Sequence, residues 1–164
     1  MKVKPLTGAA YRPYGAVVAA FAGDKPKKAN MGTAKRWDWL APLENKRKSS
    51  KANLSVFRCK PFKGRIFPVK LLERHEFSTQ VFIPLSPGAK CLIVVAKGGK
   101  KPDLSTLKAF VLRSGQGIAY KPGTWHHPMV ALGKPVTLAC LVHEDGTQRD
   151  CEVRPLPKTI NIRL

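Results

Sequence analysis

Short runs of β-branched and apolar residues recur through the later two thirds of the chain, at 66–72, 80–85, 91–96, 117–120, 128–132, 136–142 and 151–156. Seven such runs, each bounded by turn residues, predict an all-β sandwich or barrel. The 13 glycines and 14 prolines fall between these runs rather than in one tract, as loops joining many short strands require. One stretch breaks the pattern. Leu104, Leu107 and Phe110 stand at helical spacing behind Asp103, which predicts one to three turns of helix with Asp103 as the N-cap.

Before the first of these runs the order is looser. Residues 1–30 read as an opening strand and a short helix, followed by a Gly-, Pro- and charge-rich loop at 23–28. Trp37, Trp39, Leu40 and Leu43 then lead into the hydrophilic run 44–51, expected to be a solvated loop, and the apolar-rich run 54–57. No solenoid repeat is present. A chain of 164 residues matches one domain spanning 1–164 with one core.

No apolar run approaches the roughly 18 residues of a membrane span, so the chain reads as soluble with no membrane partner. The start, Met1-Lys-Val-Lys-Pro5, opens no secretory signal, which predicts an intracellular, cytoplasmic protein. The Lys-rich, acid-poor segment to Asn30 leaves a mitochondrial destination open, although Pro5, Pro13 and Pro26 would break a long amphipathic helix. The four cysteines, Cys59, Cys91, Cys140 and Cys151, form no Cys-x-x-Cys pair. Reduced structural thiols are therefore expected.

Charge adds a second theme. Thirty Lys and Arg against ten Asp and Glu give a formal +20, and residues 1–65 alone hold 16 basic against 3 acidic side chains. Such a field attracts polyanions, RNA included, through phosphate neutralisation. A merely solubilising surface is the equal alternative, since no basic motif with interleaved aromatics is present.

All four histidines, His75, His126, His127 and His143, lie in the second half of the chain. Pro122-Gly-Thr-Trp-His126 has the form of a tight turn that launches a strand. Neighbouring strand residues face opposite ways, so only one of His126 and His127 can line a cavity, and His126 is the expected one. The turn resembles the second motif of cupins, and Glu73-Arg-His-Glu-Phe-Ser-Thr-Gln80 occupies the spacing of the first, with Glu for one His and Gln for the carboxylate. This resemblance implies a cupin-like double-stranded β-helix, a jelly-roll barrel, with one or two short helices. It also implies that Glu73, His75, Gln80 and His126 converge as an N/O set suited to a divalent metal.

A closer likeness follows. Leu72-Glu-Arg-His75, Thr79-Gln-Val-Phe-Ile-Pro84, Lys101-Pro-Asp-Leu-Ser-Thr-Leu107 and Trp125-His-His-Pro128 resemble the signature blocks of the ureidoglycolate lyase family, formerly ureidoglycolate hydrolase. Asn30-Met-Gly-Thr-Ala-Lys-Arg36 is similar to its Asn-x-Gly segment. The resemblance implies a homodimeric lyase of allantoin and purine breakdown that cleaves (S)-ureidoglycolate reversibly to glyoxylate and urea, with nickel as the implied metal. His126, His75 and His127 are the candidate catalytic residues, with His126 or His75 as the base, because imidazole titrates near neutral pH. Arg74 and Arg36 are candidates for the substrate carboxylate, although Arg74 should face away from His75 on a regular strand and pair with Glu76. Gln80 and Asn30 are candidates for the ureido group, or structural amides. The alternative, drawn from charge, is a non-catalytic family member serving as an RNA-binding component of a ribonucleoprotein such as a mitochondrial ribosome.

Overall fold

A computed structural model describes residues 1–20 and 25–164. The fold is nearly all β. Its strands run in chain order as β1 Lys4–Pro5, β2 Gly15–Ala19, β3 Lys27–Ala29, β4 Ala34–Arg36, β5 Lys51–Cys59, β6 Pro61–Phe62, β7 Ile66–Arg74, β8 Gln80–Pro84, β9 Lys90–Gly98, β10 Pro102–Arg113, β11 Gln116–Tyr120, β12 Trp125–His126, β13 Val130–Leu132, β14 Val136–Glu144 and β15 Glu152–Arg163. One short helix, α1 Gly8–Tyr11, and a 3-10 turn, Asn30–Gly32, complete it. Among the described residues no helix is long and apolar enough to cross a membrane.

Two sheets face each other. One follows the order β1-β10-β9-β12-β7-β15, with β13 and β6 attached beside β9, and the other the order β2-β11-β8-β14-β5. This is the cupin-like double layer expected, but the barrel is not closed. The edge strand β5 leaves Leu54 73% and Val56 66% exposed, whereas every side chain from Cys91 to Ala96 on β9 is buried. The continuous apolar run of β9 therefore serves two cores. Cys91, Ile93 and Val95 pack between the sheets with Tyr11, Tyr14, Phe110 and Tyr120. Leu92, Val94 and Ala96 pack on the other face with Trp125, under Leu104, Leu156 and Ile160.

The helix expected at 102–110 is not formed; the segment is the long strand β10. Its Leu107 and Ala109 serve one core and its Phe110 and Leu112 the other. A buried two-faced strand thus produces apolar spacing that mimics a helix. Asp103 caps no helix. A register shift between Asp103 and Lys108 bends the strand, and the Asp103 carboxylate accepts hydrogen bonds from the Ser105 amide and hydroxyl, an Asx-type turn.

Of the loop expected at 23–28, Gly23 and Asp24 lie outside the described residues, and Lys27 and Lys28 open β3 instead. The basic run 44–51 is not wholly solvated. Arg47 is held against Asp145 at 3.1 Å and against Asp150, over the Phe77 ring.

Candidate active site

The site forms where β7 meets β12. Glu73 pairs in register with His126 on one side and Val153 on the other, and His126 also pairs with Val95 of the inter-sheet core. Strand alternation then assigns the faces. Glu73 and His126 point inward, with His75 two residues past Glu73, while Arg74 and Trp125 point to the outer core. The turn before β12 fixes this register. Gly123 adopts φ 80°, a conformation glycine takes without strain, and its amide donates to the His75 carbonyl at 2.8 Å. Thr124 donates its hydroxyl to the Tyr14 carbonyl at 2.8 Å. The Gly123 bond thereby joins the two histidine segments, and the Thr124 bond ties the turn to Tyr14.

Three rings form a parallel stack inside. Tyr120 lies 4.0 Å from His126 with planes 10° apart, and His75 lies 5.8 Å beyond at 15°. His126 Nδ1 faces the Thr124 carbonyl at 2.9 Å. A carbonyl only accepts, so Nδ1 carries a proton, and in the neutral ring Nε2 is the nitrogen that can accept one. That Nε2 sits 3.5 Å from Glu73 Oε1, within ion-pair reach but without a hydrogen bond. His75 Nδ1 and Gln80 Oε1 are likewise buried and unpartnered. Three unsatisfied polar atoms together in a protein interior mark a place built for a ligand rather than for stability.

Burial acts on each titratable group. Alone it would raise the Glu73 carboxyl, but the facing His126, with His75 and His127, holds it below its ordinary value. For His75, burial first and His126 second push the pKa down, so the ring is neutral at pH 7. Cys151, half-buried one residue before β15, donates to Glu73 Oε2 at 3.8 Å. Burial and the Glu73 charge push its thiol up to about 12.

Glu73, His75 and His126 thus face one interior, and Gln80 pairs in register with Tyr120, the ring beneath His126. His127 does not join them. Its ring packs edge-on against Phe67 at 5.0 Å, and its Nδ1 is engaged by the Pro128 carbonyl; alternation sends it to the opposite face. Arg74 also leaves the site. Its guanidinium stacks 4.9 Å over Trp125 and bonds Glu152, Glu76 and the Gly99 carbonyl. Asn30 and Arg36 belong to the small β3–β4 hairpin. Asn30 takes φ 49° in its turn and accepts from Thr33, and the exposed Arg36 pairs with Asp38 at 2.7 Å. The spacing of the cysteines gave no sign of Cys151, nor did anything mark Tyr120 as the ring beneath His126.

The ureidoglycolate lyase family model matches residues 1–163. The chain belongs to the ureidoglycolate lyase family. A ureidoglycolate lyase of Saccharomyces cerevisiae is 36% identical, with 89% of each chain covered. One from Burkholderia mallei is 34% identical over 98% of this chain and 91% of its own, and one from Schizosaccharomyces pombe is 35% identical over 96% and 92%. In fold, a dTDP sugar isomerase from Desulfovibrio desulfuricans G20 aligns with a TM-score of 0.51 at 18% identity, covering 89% of this chain and 87% of that one. Neither the family nor the named ureidoglycolate lyases support the RNA-binding alternative raised by the charge.

The donor chemistry of the site fits a divalent metal. Glu73, His75 and Cys151 each offer a ligand atom within 4.8 Å of the others, and the His75 lone pair is free. Carboxylate, imidazole and thiolate suit a borderline transition ion.

Proposed function

We propose that the chain cleaves (S)-ureidoglycolate to glyoxylate and urea, with His126 as the group that moves the proton. The observation that carries this reading is the unpartnered His126 Nε2, fixed as a base by the Thr124 carbonyl. The substrate has a hydroxyl and a ureido nitrogen on one carbon. His126 Nε2 takes the hydroxyl proton as the carbonyl forms. The carbon–nitrogen bond breaks with its electron pair going to nitrogen, and the same Nε2 returns the proton there. One imidazole, base in the first half and acid in the second, suffices for both.

Glu73, 3.5 Å from Nε2, stabilises the imidazolium between the two transfers, as the carboxylate does in other His–carboxylate pairs. Tyr120 supports the ring from below. Gln80 Oε1, buried without a partner, accepts from the ureido N–H. A divalent ion held by Glu73 and His75 would act as a Lewis acid toward the hydroxyl and pair with the carboxylate, a task that neither Arg74 nor Arg36 is placed to perform.

The test is glyoxylate release from racemic ureidoglycolate, with the remaining enantiomer measured, by the protein and by His126→Ala. Stereoselective release by the first and its loss in the second is expected. No release above spontaneous decay, with or without added nickel, overturns the reading.

We propose further that the working form is a homodimer. A nine-residue edge strand with Leu54 and Val56 in solvent is a liability unless covered, and a second copy of β5 can cover it. Sedimentation should give twice the chain mass, and Val56→Lys should halve it. A wild-type monomer at micromolar concentration ends that proposal.

A further inference from the structure

Cys151 enters the site from a distant part of the sequence. It is delivered by the pairing of β15 with β7, which places Val153 opposite Glu73. Its Sγ donates to Glu73 Oε2 at 3.8 Å. The three donor atoms of Glu73, His75 and Cys151 lie within 4.8 Å of one another. His75, only 7% exposed, keeps Nδ1 without a partner, and the Asp150 backbone carbonyl supports its ring from outside. A metal-ligating imidazole is held in just this way, one nitrogen free for the ion and the ring steadied by a carbonyl.

Bond lengths of about 2.0–2.3 Å around a tetrahedral ion require donor atoms about 3.3–3.8 Å apart. The Sγ–Oε2 separation already meets this, and small side-chain rotations bring His75 in. We propose that Cys151 is a thiolate ligand to a divalent metal, bound with Glu73 and His75 in a three-residue site whose fourth position opens toward His126. The ion then sits on the β15 side of the pocket rather than among Glu73, His75, Gln80 and His126. That location leaves His126 Nε2 and Gln80 Oε1 free for substrate.

Binding replaces the thiol proton, which leaves to solvent, by the metal. A thiolate favours zinc, nickel or cobalt and disfavours magnesium and manganese. The inference concerns the site and does not depend on which compound is cleaved there.

The experiment loads metal-stripped protein with cobalt and reads two signals. One is the near-ultraviolet thiolate-to-cobalt charge-transfer band. The other is alkylation of each cysteine by N-ethylmaleimide, mapped by peptide mass spectrometry. A stoichiometric band and protection of the Cys151 peptide are expected, with magnesium giving neither. Cys151→Ser should keep the circular dichroism and melting temperature of the parent, lose the band, and bind cobalt about tenfold to a hundredfold more weakly. Cobalt bound without the band, equal protection by magnesium, unchanged affinity in Cys151→Ser, or no cobalt binding at all would each overturn the proposal. The alkylation arm uses the unaltered chain, so a variant that fails to fold does not remove the test.

Discussion

The two faces of the β7–β12 junction differ in a way that composition does not foretell. On the outer face, Arg74 satisfies its donors with Glu152, Glu76 and Gly99, and lies over Trp125, whose own N–H reaches the same Gly99 carbonyl at 3.1 Å. On the inner face, one residue away along each strand, His126, His75 and Gln80 keep buried atoms without partners. A buried polar group costs free energy unless it is paired. The outer face is therefore arranged for stability, and the inner face gives up stability to hold polar atoms that a ligand can engage.

Exchanging the two roles breaks the comparison most sharply at His126. His126→Ala removes the proton carrier, and kcat should fall about a hundredfold to ten-thousandfold, the usual contribution of a placed acid–base group. The melting temperature should hold or rise, because an unsatisfied polar ring has been removed. A melting temperature that collapses with the activity would mean that the ring serves packing instead. Arg74→Leu is the reverse experiment. It should cost about 2 kcal/mol of stability, the scale of lost charged hydrogen bonds and ring stacking, with kcat per folded molecule unchanged. A fall in kcat equal to that of His126→Ala would return Arg74 to the substrate.

Much of the inner face was legible because strand alternation needs only local sequence. That Glu73 and His75 share a face, and that only one of His126 and His127 can join them, follows from a period of two; the preceding Pro122–Thr124 turn is what singled out His126. What depended on distant pairing was not legible. Cys151 reaches Glu73 across 78 residues, and nothing near it in sequence marks it as different from Cys91 or Cys140. Arg47 sits in a run that reads as solvated, yet its partners Asp145 and Asp150 stand about a hundred residues on. The strand β10 misled for a different reason: a register shift between Asp103 and Lys108 and two apolar faces beyond it give a spacing that mimics a helix. Arg74 was resolvable in principle, since its neighbour His75 already required it to face outward.

The Arg47 cluster extends the contrast to the rim of the pocket, with the smallest expected effect. Hydrogen bonds from Thr147 and Ser49, with Arg47 nearby, hold the Asp145 carboxyl below the usual range. Burial alone would raise Asp150, but its bond from Arg47 and the amides of Asp145 and Gly146 hold it low as well. Both folded values lie below the unfolded carboxylate value of about 3.9, so the unfolded chain binds more protons as acid is added. The stabilisation is thus complete above about pH 4 and is lost as pH falls through the lower folded values. Melting temperatures measured from pH 7 to pH 3 should be flat and then drop. Arg47→Gln removes the shared cation, which should lower the plateau and make the acid drop shallower. Because the Asp150 carbonyl supports the His75 ring, the same variant should also loosen the pocket on that side while leaving Arg74 and Trp125 in place. A variant whose acid profile only shifts downward, parallel to the parent, would show that Arg47 does not depress these carboxyls and that the rim is held by its hydroxyl and amide bonds alone.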